Sequence, residues 1–198
     1  MSESKKDPRY FQTQSIDNFF GKPEEIIKFA NSLEYQIGPY GLWPGKRTEG
    51  LHINHNHFCN SFLTKLLALF FDYNHAKISW SNVEIYFQKT YPFDIKDKNN
   101  ILNTGLIHQD GDFPLVGLVY LTEGADINSG TSIMLPNKKY KDEEEFGKKK
   151  ISLYKKSQDK LSSEDIENYK KLIVETNQNF EESIRFNNRF NRLITYTG

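Results

Sequence analysis

An α+β domain is the fold class this sequence predicts, and three observations predict it. Apolar residues near the front recur at helical spacing, apolar and polar residues alternate from Val83 onward, and Gly- and Pro-bearing turn signals separate a series of short apolar runs. A core of this kind is a sandwich or a small barrel.

The elements follow in order. In "SIDNFFGKPEEIIKFANSLEY" a short extended piece precedes a helix with Pro23 in its first turn, where a missing N–H costs little. Glu24 and Glu25 stand at the positive end of the helix dipole, and Ile27, Ala30 and Leu33 or Glu34 keep helical spacing, so this helix is expected to lie against a sheet. "GPYGLWPGKRTEG" is dense in Gly and Pro and reads as a loop. A second helix runs through "NSFLTKLLALFFDY", with Phe62, Leu66, Leu69 or Phe70 and Tyr73 on one side. The period then changes: "SNVEIYFQKTY" sets Val83, Ile85 and Phe87 against Glu84, Tyr86 and Gln88. "PLVGLVYLTEG" and "GTSIMLP" each supply a strand, and "SIRFNNRFNRLITY" one or two more. Residues 137–180 form a charged, partly helical insertion. Within it Ser162 and Asp165 make a capping-box-like start, and Ile166, Tyr169 and Leu172 or Ile173 form the stripe of an amphipathic helix on the outside. Residues 1–198 read as one domain.

The chain has 26 basic and 26 acidic side chains, so nothing global draws it to nucleic acid or an anionic membrane. Its greasiest run, "LLALFF", is far too short to span a bilayer, and the first residues lack the apolar core of a signal peptide. With Cys59 the only cysteine, an internal disulfide and a four-sulfur zinc site are both excluded. A soluble chain in the cytoplasm is the expectation.

His108-x-Asp110 is the segment with chemistry in it. In a strand, residues i and i+2 share a face, so an imidazole nitrogen and a carboxylate oxygen can be aimed at one point, as in two of the three ligands of a two-histidine, one-carboxylate metal site. The bare motif is weak, because with 26 acids and five histidines in 198 residues such a spacing arises by chance in about half of chains. His52, His55 and His57 cluster as H-x-x-H-x-H near Cys59, but no helix or strand puts all three on one face, and a solvated loop or the start of a helix is the better reading. His75 reads as a surface residue. Arg47 and Arg192 could each fork onto a carboxylate, and Arg192 could equally serve as a structural partner at a strand end.

Taken together, "NVEIYFQ", "GLIHQD", "VGLVYLTEG", "SGTSI" and "FNRLITY" resemble the successive core strands of the 2-oxoglutarate and Fe(II)-dependent oxygenases, closest to the prolyl-hydroxylase-like branch, over residues 16–198 with the charged insertion unmatched. "PGKRT" is similar to a loop of small uncharacterised phage and bacterial members. The resemblance implies a double-stranded β-helix, a jelly-roll or cupin-like core with N-terminal helices packed on one sheet. It implies an oxidoreductase: a dioxygenase that uses Fe(II) and 2-oxoglutarate to hydroxylate a protein or small-molecule substrate, with release of succinate and CO2. Carried over by position, His108 and Asp110 become the catalytic iron ligands, and Tyr86, Tyr120 and Thr131 become 2-oxoglutarate contacts. The family's third ligand, a histidine after the Arg-Leu strand, and its basic co-substrate residue have no counterpart, since no His follows His108. An unpaired edge beside "RFNRLITY", with Thr197-Gly198 as a turn opener, favours a chain that is a piece of a longer frame over one that has lost its site. The competing function is a non-catalytic jelly-roll binding or structural protein.

Overall fold

The computed structural model describes residues 11–36, 45–72, 80, 82–92, 94, 96, 97, 100–104, 107, 108, 110, 113–137 and 161–197. The expectations for His75, for Pro44 of the "PGKRT" loop and for most of the charged insertion lie outside them. The chain divides into two compact units, each assembled from interleaved segments: residues 1–28, 106–140 and 176–198 in the first, 29–105 and 141–175 in the second.

The first unit holds two antiparallel sheets. β1 (Gln14–Ile16), β8 (Arg192–Tyr196) and β5 (Val116–Tyr120) form one in the order β1-β8-β5, and β6 (Thr131–Pro136) pairs with β7 (Phe180–Phe186) in the other. Register places Val116 opposite Tyr196, Leu118 opposite Ile194 and Tyr120 opposite Arg192, so these six share one face of the sheet. Leu193, Ile194 and Thr195 are wholly buried. Tyr120, Phe186 and Ile194 form a core cluster, with Ile133 and Tyr196 packed against it. The β6–β7 ribbon slips register between Ile133 and Met134, the mark of a bulge. Gly130 precedes β6 because the backbone passes Phe186 too closely for a side chain: an added Cβ would lie 1.7 Å from the Phe186 carbonyl oxygen.

Asn191, at the start of β8, ties this unit together. Its φ of +57° is a left-handed conformation that Asn tolerates better than most residues. The buried side chain accepts from Phe20 N (2.8 Å) and donates to Phe20 O (2.8 Å), its own N–H donates to Tyr120 O (2.7 Å), and its carbonyl accepts from Phe19 N (2.9 Å).

The second unit is built on the sheet β2-β3-β4, of β2 (Tyr35–Gln36), β3 (Gly45–Thr48) and β4 (Gln88–Thr90). α2 (Leu51–Asn54) and α3 (Asn56–Leu67) follow β3, and α3 buries Cys59, Leu63, Leu66 and Leu67. α1 (Pro23–Asn31) crosses the division between the units; its Phe29 ring meets His55, Phe58 and Phe87. Burial alternates strictly from Asn82 to Thr90, with Val83, Ile85, Phe87 and Lys89 on the inner side. Only the last three of these residues are laddered; Ile85 and Phe87 are fixed by Leu51 N–H to Ile85 O (2.8 Å) and Thr48 N–H to Phe87 O (3.0 Å). α4 (Ser163–Asn177) starts at a reciprocal capping box: Asp165 N–H donates to Ser162 Oγ (3.1 Å) and Ser162 N–H to Asp165 Oδ2 (3.0 Å). Its stripe of Tyr169, Leu172, Ile173 and Thr176 is buried.

Three expectations are corrected. The α+β reading holds, but the double-stranded β-helix does not: the described strands form open sheets of three, three and two strands, and none closes or curls into a jelly roll. A period of two marks a strand without saying which strand it pairs with, and closure also needs consistent tilt and stagger around the ring. The end of the Gly/Pro loop, Gly45–Thr48, is a strand, entered at a glycine with φ +132° that passes the Lys89 carbonyl. Finally, β8 is no unpaired edge, because it is the central strand of its sheet, bonded to β1 and β5. Among the described residues no helix is long and apolar enough to cross a membrane.

Candidate functional site

His108 and Asp110 lie in the first unit, in irregular chain between the short 3-10 turn Ile101–Asn103 and β5. Neither sits in a strand, yet the two side chains converge: His108 Nε2 is 3.3 Å from Asp110 Oδ1. The imidazole is 56% exposed and the carboxylate 33%, so solvent reaches the pair.

Asp110 is held from its other side. Tyr196 donates its hydroxyl to Asp110 Oδ2 at 3.0 Å. Burial foremost, then the negative charge of Asp110 and the hydrogen bond to it, push the Tyr196 phenol well above its ordinary value, so it remains a donor. The result is a chain His108–Asp110–Tyr196 that runs from solvent into the core sheet. Tyr196 escaped sequence reasoning as a site residue; the only available signal was the alternation Arg192, Ile194, Tyr196, which puts it on the same face as the core residue Ile194.

Tyr120 and Thr131 are brought together in the same unit, with the Tyr120 hydroxyl 2.8 Å from Thr131 Oγ1. Burial raises the Tyr120 phenol, against the lowering effect of that hydrogen bond and of Arg192 and Arg185. Tyr86 belongs to the second unit, where its hydroxyl meets Glu84 Oε2 (3.3 Å), the Arg47 guanidinium carbon lies 5.7 Å from its ring centroid, and the His52 ring stands edge-on at 6.1 Å. Burial, then Glu84, raises its phenol.

The three clustered histidines take separate places around the start of α3. His52 in α2 accepts a long bond from Ile85 N (3.5 Å), His55 precedes α3 and packs on Phe29, and His57 is exposed on the first turn of α3. The reading of this cluster as a helix start is therefore what the fold displays. Arg192 is the structural partner of a strand end: Nε and Nη2 fork onto Asp17 Oδ1 (2.6 Å) and Oδ2 (3.1 Å), and Arg189 adds a third bond at 2.9 Å. Arg47 donates from Nε to Gln88 Oε1 (2.6 Å).

Fold and site thus define an α+β protein of small open antiparallel sheets, with a polar side-chain chain ending on its β1-β8-β5 sheet. The particular family is now plain: the chain belongs to a family of unknown function, DUF6445, which matches residues 12–198. No curated protein and no solved structure matches it.

These findings overturn the oxygenase assignment. The sheets formed by the described residues are open where the prolyl-hydroxylase-like branch needs a closed jelly roll. Among the described residues no group of three or more His, Cys, Asp and Glu side chains is placed to hold a metal ion, where the dioxygenase mechanism needs a three-residue iron site. The reading of the chain as a 2-oxoglutarate-dependent dioxygenase, and as an iron oxidoreductase of prolyl-hydroxylase type, falls with them, as does the jelly-roll form of the non-catalytic alternative.

Proposed function

We propose that this protein binds a divalent cation at the edge between His108 Nε2 and Asp110 Oδ1. The 3.3 Å separation of those atoms carries the reading. Two donors about 2.1 Å from one cation stand about 3.0 Å apart at a right angle and about 3.4 Å apart at the tetrahedral angle, so the observed spacing suits one edge of either polyhedron. An imidazole with a carboxylate suits the borderline first-row ions better than Ca²⁺ or Mg²⁺, which favour all-oxygen sites. Among the described residues these are the two donors the reading uses, and water or an oxygen of a bound ligand can take further positions on the cation.

Titration of the full chain with Mn(II), followed by electron paramagnetic resonance of the free ion, tests this. One saturable site is expected, lost in both His108→Ala and Asp110→Asn, and weakened as the pH falls because imidazole ligates only without its proton. Absence of saturable binding, or binding that both variants retain, sinks the proposal. Fe(II) under anaerobic conditions and 2-oxoglutarate, the ligands expected from the sequence, form separate arms. In the latter, Tyr86→Phe, Tyr120→Phe and Thr131→Val read the contacts assigned to those residues.

A further inference from the structure

We infer that Tyr196 is a positioning residue for the His108–Asp110 site, holding Asp110 by one oxygen so that the other faces His108. The inference rests on the cation reading above and adds a residue that neither the motif nor the family supplies. Asp110 stands in irregular chain, outside every sheet ladder, so its backbone alone does little to fix the direction of its carboxylate. Its two oxygens are nonetheless differentiated: Oδ1 is 3.3 Å from His108 Nε2, and Oδ2 accepts from the Tyr196 hydroxyl at 3.0 Å. The donor is itself anchored by packing. Tyr196 closes β8 opposite Val116, on the face that carries Ile194, and its ring packs against the Tyr120, Phe186 and Ile194 cluster. A ring seated in a core has already lost its rotamer freedom, so its hydroxyl orients a carboxylate at less entropic cost than a surface side chain would. A partner of this kind, outside the coordination sphere, typically contributes 10- to 100-fold in metal affinity when it orients a ligand.

Tyr196→Phe keeps the ring and removes the hydroxyl. In the full chain it is expected to weaken Mn(II) binding about 10- to 100-fold, whereas Tyr35→Phe, in the second unit, stays within about twofold of the unsubstituted chain, the small effect usual for a substitution away from the site. A second readout needs no variant: with tyrosine labelled at Cζ, the Tyr196 carbon resonance shifts on saturation with diamagnetic Zn(II), because the cation draws charge from the carboxylate that the hydroxyl bonds. Unchanged affinity in Tyr196→Phe, or a Tyr196 resonance that stays still while the unsubstituted protein saturates, overturns the positioning role and leaves the cation site standing. An unsubstituted chain that binds no cation overturns both.

Discussion

Asn191 joins Phe19–Phe20 to Tyr120 and the start of β8 through four hydrogen bonds, and its loss is measurable in two parts. Replacing it with Gly keeps a residue at ease with φ +57° but removes the two side-chain bonds that pair the Phe20 amide and carbonyl. Each such bond is worth about 1 kcal/mol net, and a glycine loses somewhat more backbone entropy on folding, so Asn191→Gly is expected to cost about 2–3 kcal/mol. Asn191→Ala loses the same bonds and adds the left-handed penalty of a Cβ, about 1 kcal/mol more. With a urea dependence of about 2 kcal/mol/M, the midpoints fall by about 1–1.5 M and about 1.5–2 M. The assay is urea unfolding followed by the resonances of Leu193 and Ile194, which report the first unit alone. Equal midpoints for the two variants would refute the conformational part of this reasoning. Midpoints within about 0.3 M of the parent, a difference near 0.5 kcal/mol, would refute the role of Asn191 as a tie between Phe19–Phe20 and β8.

Two further predictions concern the same unit. The hydrogen bond from Arg192, helped by the charges of Arg192 and Arg189 and opposed by desolvation, holds the Asp17 carboxyl below its ordinary range. A depressed folded-state value gives stability that is complete above the unfolded value of about 3.9 and is lost as pH falls through the folded one; stability measured from pH 5 downward is therefore expected to drop less steeply in Asp17→Asn than in the parent, and parallel curves would contradict the linkage. Gly130→Ala is expected to cost about 2 kcal/mol or more in thermal or urea unfolding, because its Cβ would overlap the Phe186 carbonyl oxygen at 1.7 Å. Gly21→Ala, where nothing lies within 4 Å and φ is not positive, is the matched control and is expected to be neutral or slightly stabilising.

Much of the local structure was legible in the sequence. The alternation of Val83, Ile85 and Phe87 appears as strict alternation of burial, although most of that segment carries no ladder. Ser162 and Asp165 form the box their spacing suggests, and the stripe from Ile166 through Ile173 is the buried side of α4. His108 and Asp110 do meet, though through irregular chain rather than along a strand. Periodicity is written in near neighbours, where sterics and solvent decide side by side which residues face inward. Partners are not written there. Nothing in "RLITY" shows that it pairs with both Gln14–Ile16 and Val116–Tyr120, and the resemblance of strands taken singly carried no information about whether they close.

The amino-acid order alone accounts for the α+β class, the helix that begins at Pro23, the capping box and buried stripe of α4, the alternation around Ile85, the absence of a disulfide within the chain and the two-residue spacing of an imidazole and a carboxylate. Tertiary structure alone decides that the sheets stay open, that β8 lies between β1 and β5, and that Tyr196, 86 residues beyond Asp110, reaches it with a hydrogen bond. The physical reason is that these are contacts between distant segments, fixed by which apolar faces can be buried together and which backbone edges can bond, and that competition is settled only when the whole chain has folded.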